Sequence, residues 1–441
     1  MAVQSTPVDL DRNLRRATAR RAVPLRPVRR YAAPRSAVPL RRRLAMSALA
    51  AALCAAASAL IFIPAAFAKT YTDVHKAYWA RADINWVTNQ GQPNGKALDD
   101  FGGGLFKPTQ AVTRAQLARA LVVTGGYQKM TVPAVALADV PTSDPYYKYI
   151  EIAVHLKLMS VYKNGFRPTA AVLEYQADSG AVCLLRSLNP TADWTVLKSL
   201  RPGKWQPNLK WTTGAPVYLP VEVAARSVGL RFNHPTKADA LEVSPRQAID
   251  RAELAAILYR ARHLSSWSIA GLKEYDSVVL PTLTARQKQI VAFAFKYIGY
   301  PYVWGGEYPT KGSPYGSQAH GGFDCSGFDW WVMKMHFGYT VNERTAAGMA
   351  GAAKPRITRA KLVPGDLMFF GPNGPKSTVA SIYHAALYLG NGWFIQSTGS
   401  LDGVGLSSLN SDSYWKSAFA WGRRVLKKGE FAPLLSATPE Q

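Results

Sequence analysis

Three helix-opening segments of one pattern stand in this 441-residue chain: Val112-Thr113-Arg114-Ala115-Gln116, Leu173-Glu174-Tyr175-Gln176-Ala177 and Ile249-Asp250-Arg251-Ala252-Glu253, 61 and 76 residues apart. The same series precedes the first two. An Asp-Val pair (Asp73-Val74, Asp139-Val140) is followed by aromatics (Trp79; Tyr146 and Tyr147), an apolar stripe (Ile84, Trp86, Val87; Ile150, Ile152, Val154) and a Phe-x-Pro turn (Phe106-Lys107-Pro108; Phe166-Arg167-Pro168). The third unit keeps Val243-Ser244-Pro245 but has no Asp-Val opening. An amphipathic helix pair cannot bury its apolar stripe alone, so repeated pairs bury it against one another. The expectation is an all-α body of units 70–126, 134–188 and a diverged 189–264, the last carrying a basic, Pro- and Trp-bearing insertion.

A connector over 265–283 leads into a domain of different texture, glycine- and aromatic-rich, expected over 284–427 and followed by a loose tail, 428–441. Its chemistry gathers at Phe323-Asp324-Cys325-Ser326-Gly327-Phe328. Asp324 reads as a helix N-cap, which places Cys325 on a first helical turn, where free N–H groups and the helix dipole favour thiolate. Of the three histidines in this domain, His320, His336 and His384, only His384 lies in an apolar strand, Ser381 to Leu389, closed by the turn Gly390-Asn391-Gly392. A polar imidazole in a buried strand needs a partner. If the turn makes a hairpin, Gln396 lies near the register opposite His384, and its amide oxygen can accept the imidazole proton and hold the ring for the cysteine. The reading is a thiol nucleophile, Cys325, with base His384 and orienting residue Gln396. Cys183, in an apolar helical stretch from Ala181 to Leu185, is expected in the core.

The N-terminus sets the compartment. Arg41-Arg42-Arg43 meets an apolar run from Leu44 to Phe67 that closes on Ala66-Phe67-Ala68. This is the layout of a signal peptide with a long basic leader, 1–68, cut after Ala68, and Cys54 leaves with it. The run is also long enough for an uncleaved anchor, and the arginine pair leaves a twin-arginine route open. A secreted protein without stable membrane insertion after cleavage is expected. The leader carries +10 of the formal +25, so the remainder is +15, a charge that suits any polyanion. Nucleic acid rests on that charge alone, with no recognition motif to support it. Three scattered cysteines make neither a disulfide scaffold nor a zinc cluster, and no phosphate-binding loop or H-E-x-x-H helix is present, so no metal or cofactor is expected.

Two resemblances add to this. The Asp-Val, Trp, Phe-x-Pro and Thr-Arg-Ala-Gln or Asp-Arg-Ala-Glu series resembles S-layer homology domains, three in tandem. That resemblance implies attachment to anionic secondary polymers of a bacterial wall, with Asp73, Trp79, Thr113, Arg114, Asp139 and Arg251 lining the binding grooves. Glu174-Tyr175 departs from the basic pattern. The segments Pro301-Tyr302-Val303-Trp304-Gly305-Gly306, Asp324-Cys325-Ser326-Gly327, Arg344-Thr345, Pro364-Gly365-Asp366-Leu367-Met368-Phe369-Phe370, and His384 with a polar residue twelve on, resemble the NlpC/P60 cysteine peptidases. The resemblance implies a papain-like α+β domain with a central antiparallel sheet. It further implies cleavage of peptidoglycan stem peptides at the D-γ-glutamyl–diamino acid bond, Tyr302 at the oxyanion, and Asp324 and Ser326 against the peptide. The alternative is a wall-binding protein whose peptidase-like domain is inactive, a reading that Gln396 in place of the family's usual His and a long Glu307–Gly322 loop keep open. Repeats that cover the cleft would make such a hydrolase autoinhibited.

Overall fold

The amide groups that open each long repeat helix find acceptors in a neighbouring repeat, and this closes the repeats on themselves. The computed structural model describes residues 70–88, 95–201, 215–313, 316 and 318–432. The leader expected over 1–68, with Cys54, and parts of the basic insertion and tail lie outside the described residues. Among the described residues no helix is long and apolar enough to cross a membrane. The repeat helices are α1 (Arg81–Thr88), α2 (Arg114–Gly125), α3 (Tyr147–His155), α4 (Glu174–Leu188), α5 (Leu219–Ser227) and α6 (Arg251–His263). Thr113 and Gln116 form a capping box on α2, and Asp250 caps α6 through the Glu253 N–H. α5 is the first helix of the third unit. It starts after Tyr218 without a side-chain cap and has Pro in its first turn, which is why no opening motif marks it.

At α2, Arg114 N donates to Ala170 O and Ala115 N to Pro168 O, both 2.9 Å, and Thr113 bridges Ala171. α4 repeats this on the third unit, with Glu174 N to Gln247 O at 2.9 Å, Tyr175 N to Pro245 O at 3.2 Å and a Leu173–Ala248 bridge. α6 returns to the first, with Arg251 N to Gln110 O at 3.1 Å, Ala252 N to Pro108 O at 3.0 Å and an Ala111–Asp250 bridge. Amide donors that a helix start leaves unpaired thus bind the Pro turn of another unit, and three units make a closed pseudo-threefold ring. The turns are themselves held. Lys107 and Arg167, at φ 58° and 60°, sit in the left-handed region. Asp73 accepts from Phe106 N and Lys107 N at 2.9 and 2.6 Å, and Asp139 does the same for Phe166 N and Arg167 N at 2.8 and 2.6 Å.

The second half opens on α7 (Ala285–Phe295), capped by Thr284 and Gln287. A two-stranded ribbon, β1 (Glu307–Tyr308) and β2 (Gly322–Phe323), leads into α8 (Cys325–Trp330), which widens into a π turn over Trp331–His336. After α9 (Ala346–Gly351) come β3 (Leu367–Phe370), β4 (His384–Gly390), β5 (Trp393–Thr398), β6 (Gly403–Ser408) and β7 (Phe419–Arg423), an antiparallel sheet in the order β6-β5-β4-β3-β7. Every residue of β4 is buried, since α8 covers one face and a Phe370, Phe394 and Trp415 cluster fills the other. The all-α repeats followed by an α+β domain with a central antiparallel sheet are the expected fold class.

The two halves meet at the second ring junction, at the head of α4. Where the others carry arginine, this one carries Glu174, packed with Asp178 and Glu222 around Arg226 and Arg231, all buried. Arg226 reaches across to Gly299 O, to Leu401 O at 3.2 Å and to the backbone and carboxylate of Asp402.

Candidate active site

Asp324 accepts from Gly327 N at 2.6 Å, so α8 starts at Cys325 as the spacing predicts. The thiol is not lowered, however. Burial and the Asp324 carboxylate push Cys325 up to about 12, opposed by hydrogen bonds from the backbone of Ala385 and Ser326. The dipole expectation counted roughly half a charge at the helix start and left out the full negative charge of the cap itself. In the resting cleft the cysteine is a thiol and needs a base.

His384 begins β4, and its chain neighbour Ala385 is the residue whose N–H meets the thiol. Its Nε2 lies 2.6 Å from Gln396 Oε1. The pairing is diagonal rather than opposite. Leu387 faces Ile395, so one step along the ladder sets Gln396 across from Ala386, and His384 reaches it over two residues on the same face. Burial holds the imidazole down to about 4, so it is neutral, and the Gln396 bond opposes that shift. Gln396 is in turn fixed by donating to Ser407 Oγ on β6 at 2.7 Å, a partner that sequence reasoning missed.

A cleft of about 440 Å³ opens over Cys325, walled by Tyr302, Trp304, Glu307, Asp324, Ser326, Arg344 and Tyr383. Its lining residues all lie between 302 and 383, so the repeats do not line it. Arg344, part of the Arg344-Thr345 motif, has a role that the sequence does not assign. It binds Glu307 at 2.7 Å, Asp324 at 3.0 and 3.1 Å, Ser326 at 3.1 Å and the carbonyls of Gly305 and Gly306. The Asp324 carboxylate therefore faces the cleft half-neutralised. Tyr302 pairs with Phe323 just before the nucleophile, and burial followed by the nearby Cys325 raises its hydroxyl. The Glu307–Gly322 loop is pinned back as the β1–β2 ribbon by Gln318, which donates to the carbonyls of Tyr308, Thr310 and His320. His320 turns its Nδ1 to Gly321 O, and His336 stacks on Phe293 with ring centroids 3.4 Å apart. Asp329, also on α8, is fully buried with no hydrogen-bond partner among the described residues, and burial and Asp324 drive its carboxyl well above the usual range.

The six residues expected to hold wall polymer are not gathered in one place. Arg114 lines a cavity of about 500 Å³ with Tyr162, Tyr175 and Cys183, but its guanidinium is buried and donates to Phe166 O and Ser160 O at 2.7 and 2.6 Å. Arg251 is 1% exposed, lies over the Phe101 and Phe106 rings and donates to Phe106 O and Asp99 O. Asp73 and Asp139 are engaged by their turns and Thr113 by its cap. Trp79 stacks on Phe232 at 5.1 Å, with His234 edge-on. Cys183, expected in the core, is only partly buried. Three buried carboxylates, Glu174, Asp178 and Glu222, have oxygens within 4.8 Å of one another, the spacing a cation would need, and there Arg226 and Arg231 already supply positive charge.

Comparison with known proteins agrees with both halves. Residues 299–424 match the profile of the NlpC/P60 family, and residues 136–173 that of the S-layer homology domain. The chain is 34% identical over 139 residues to the gamma-DL-glutamyl hydrolase of Bacillus subtilis (strain 168), a match covering 31% of this chain and 29% of that protein. It is 34% identical over 133 residues to the murein DD-endopeptidase MepH of Escherichia coli (strain K12), covering 29% and 42%. It is 37% identical over 123 residues to the bifunctional muramidase/DL-endopeptidase CwlT of Bacillus subtilis (strain 168), covering 28% and 32%. The chain thus spans less than half the length of these relatives. A solved NlpC/P60 family protein from Bacillus cereus is 27% identical, with 34% of this chain and 42% of that one covered and a TM-score of 0.26. An S-layer homology domain therefore precedes an NlpC/P60 domain in this chain.

Proposed function

We propose that the protein is an exported, wall-anchored cysteine endopeptidase that cuts peptidoglycan stem peptides, with the D-γ-glutamyl–diamino acid bond as its target. The observation that carries this is the buried His384–Gln396 pair, which leads directly into the residue whose N–H meets the Cys325 thiol. If Nε2–H donates to Gln396, Nδ1 is left as the free base. Nδ1 takes the thiol proton as sulfur attacks the scissile carbonyl, and the resulting imidazolium gives that proton to the leaving amine. Water, deprotonated by the same nitrogen, then releases the acyl group and restores the thiol. Tyr302 and backbone N–H groups donate to the oxyanion, a contribution of about 3–4 kcal/mol per donor. Asp324 receives an amino group of the stem peptide, and the bonds it makes to Arg344 fix its direction.

Two of the relatives differ by name in the bond they cut, DL against DD, so bond choice belongs to the cleft wall rather than to the Cys–His pair. Anchoring is assigned to the repeats, which raise the local enzyme concentration at the wall. Purified peptidoglycan incubated with wild-type and Cys325→Ala protein tests this, with released fragments identified by mass spectrometry. New stem-peptide termini from the wild type alone are expected. If neither form releases fragments while both pellet with the wall, the domain is a binding module.

A further inference from the structure

The short segment that carries Tyr302 is gripped at both ends by the repeat ring. At one end Arg226 on α5 donates to Gly299 O. At the other, the buried Asp239 side chain accepts from Trp304 N at 2.9 Å. Between these points Val303 N donates to Phe323 O at 3.2 Å and Phe323 N to Pro301 O at 3.1 Å, so the segment is laced to β2, the strand that leads into Asp324-Cys325. On its other side Val404 N donates to Tyr300 O at 2.8 Å, tying it to β6, the strand whose Ser407 holds Gln396. Three groups assigned to catalysis therefore hang on one short run of backbone, and Arg226 and Asp239 of the ring fix its ends.

We propose that Arg226 and Asp239 are positioning residues for the peptidase. The ring completes the cleft by clamping 299–304, and it sets the distance between the Tyr302 hydroxyl and the oxyanion formed at Cys325. This rests on the endopeptidase reading above. It runs opposite to autoinhibition, because a ring that clamps raises turnover and one that covers lowers it. Neither residue lines the cleft, so their effect falls on kcat and not on substrate binding.

The test uses the full chain and a soluble stem-peptide substrate. Asp239→Ala removes the acceptor for Trp304 N, and kcat is expected to fall about tenfold with KM within about twofold, the size a small misplacement of a donor produces. Asp239→Asn keeps an acceptor oxygen without the charge and restores kcat to within about twofold. On a Tyr302→Phe background Asp239→Ala costs nothing further, because the clamp acts through the hydroxyl that has been removed. Arg226→Met repeats the kcat loss where it folds, and the Asp239 pair decides the matter where it does not. Amide hydrogen exchange over 299–304 rises in Asp239→Ala and stays at the wild-type level in Asp239→Asn. Unchanged kcat in Asp239→Ala, or losses that multiply on the Tyr302→Phe background, overturn the clamp. A wild type without turnover overturns the endopeptidase reading instead, and the exchange measurement then still reports whether the clamp exists.

Discussion

The first and second junctions of the repeat ring share a backbone and differ in charge. At the first, Arg114 heads α2 and sits over Tyr162 and Phe166 beside an open cavity of about 500 Å³. At the second, the residue heading α4 is Glu174, and the C-terminal half fills the junction through Gly299 and Asp402. Both helices make the same pair of backbone bonds to the next Pro turn. Ring closure is thus a property of main chain and turn, and the first side chain of each helix decides what the junction accepts: an open cavity at one, a protein domain at the other.

The largest expected effect separates the two directly. Arg226→Met leaves Glu222, Glu174 and Asp402 buried with one guanidinium fewer, a loss of about 3–5 kcal/mol of unfolding free energy. Arg114→Met removes two charged hydrogen bonds and costs about 2–3 kcal/mol, while reducing wall pelleting. Urea melts of both variants check the order, and equal losses would remove the distinction.

The junctions also differ in their response to pH. Burial raises Glu174 to about 8 and Glu222 to about 7, against an ordinary 4.5, so both carry protons in the folded state that the unfolded chain has released. Their contribution is complete below pH 4.5 and disappears as pH rises through about 7–8. Glu174→Gln should flatten that alkaline decline, at roughly 1.4 kcal/mol for each tenfold difference in proton affinity that it abolishes. His384 runs the other way. Held down to about 4 against 6.5, it contributes stability present above pH 6.5 that is lost as pH falls toward 4. Unfolding free energies of wild type and Glu174→Gln between pH 4 and 9 are expected to agree on the acid limb and diverge on the alkaline one.

The smallest effect tests whether a buried carboxyl without hydrogen-bond partners is tolerated only where arginines stand by. Asp329 has none, so Asp329→Val is expected to raise stability by about 1–3 kcal/mol, read as a higher midpoint in the same melts. A lower midpoint would mean that the carboxyl has a structural role.

What the sequence made legible was local. Cys325 announces itself through its cap and flanking glycine, His384 through a polar ring in an apolar strand, and Gln396 through a hairpin turn between them. The repeats were readable because their turns and helix starts recur. Arg226 and Asp239 were not, since each acts on a residue far away in the chain, as Arg226 does on Asp402 over 176 positions, and Ser407 was not, since its hydroxyl stands on the next strand of the sheet and does not break that strand's pattern. The direction of the thiol shift was misread for a related reason. The cap that identifies the helix start is itself a charge, and only the structure shows how deeply the thiol is buried beside it.

A closed ring also has a timetable. The bond from Arg251 to Phe106 joins residues 145 apart, and the first turn cannot receive it until the last repeat helix exists. At a synthesis rate of about 5–20 residues per second, the first unit waits roughly 7–30 s with its seam open. During that wait the first two units are joined only at the head of α2, through Arg114 N to Ala170 O and Ala115 N to Pro168 O, and the ring stays open. A ring whose closing bonds come last is complete only when the third unit has been synthesised, so the order of the repeats along the chain is also the order in which its seams can close.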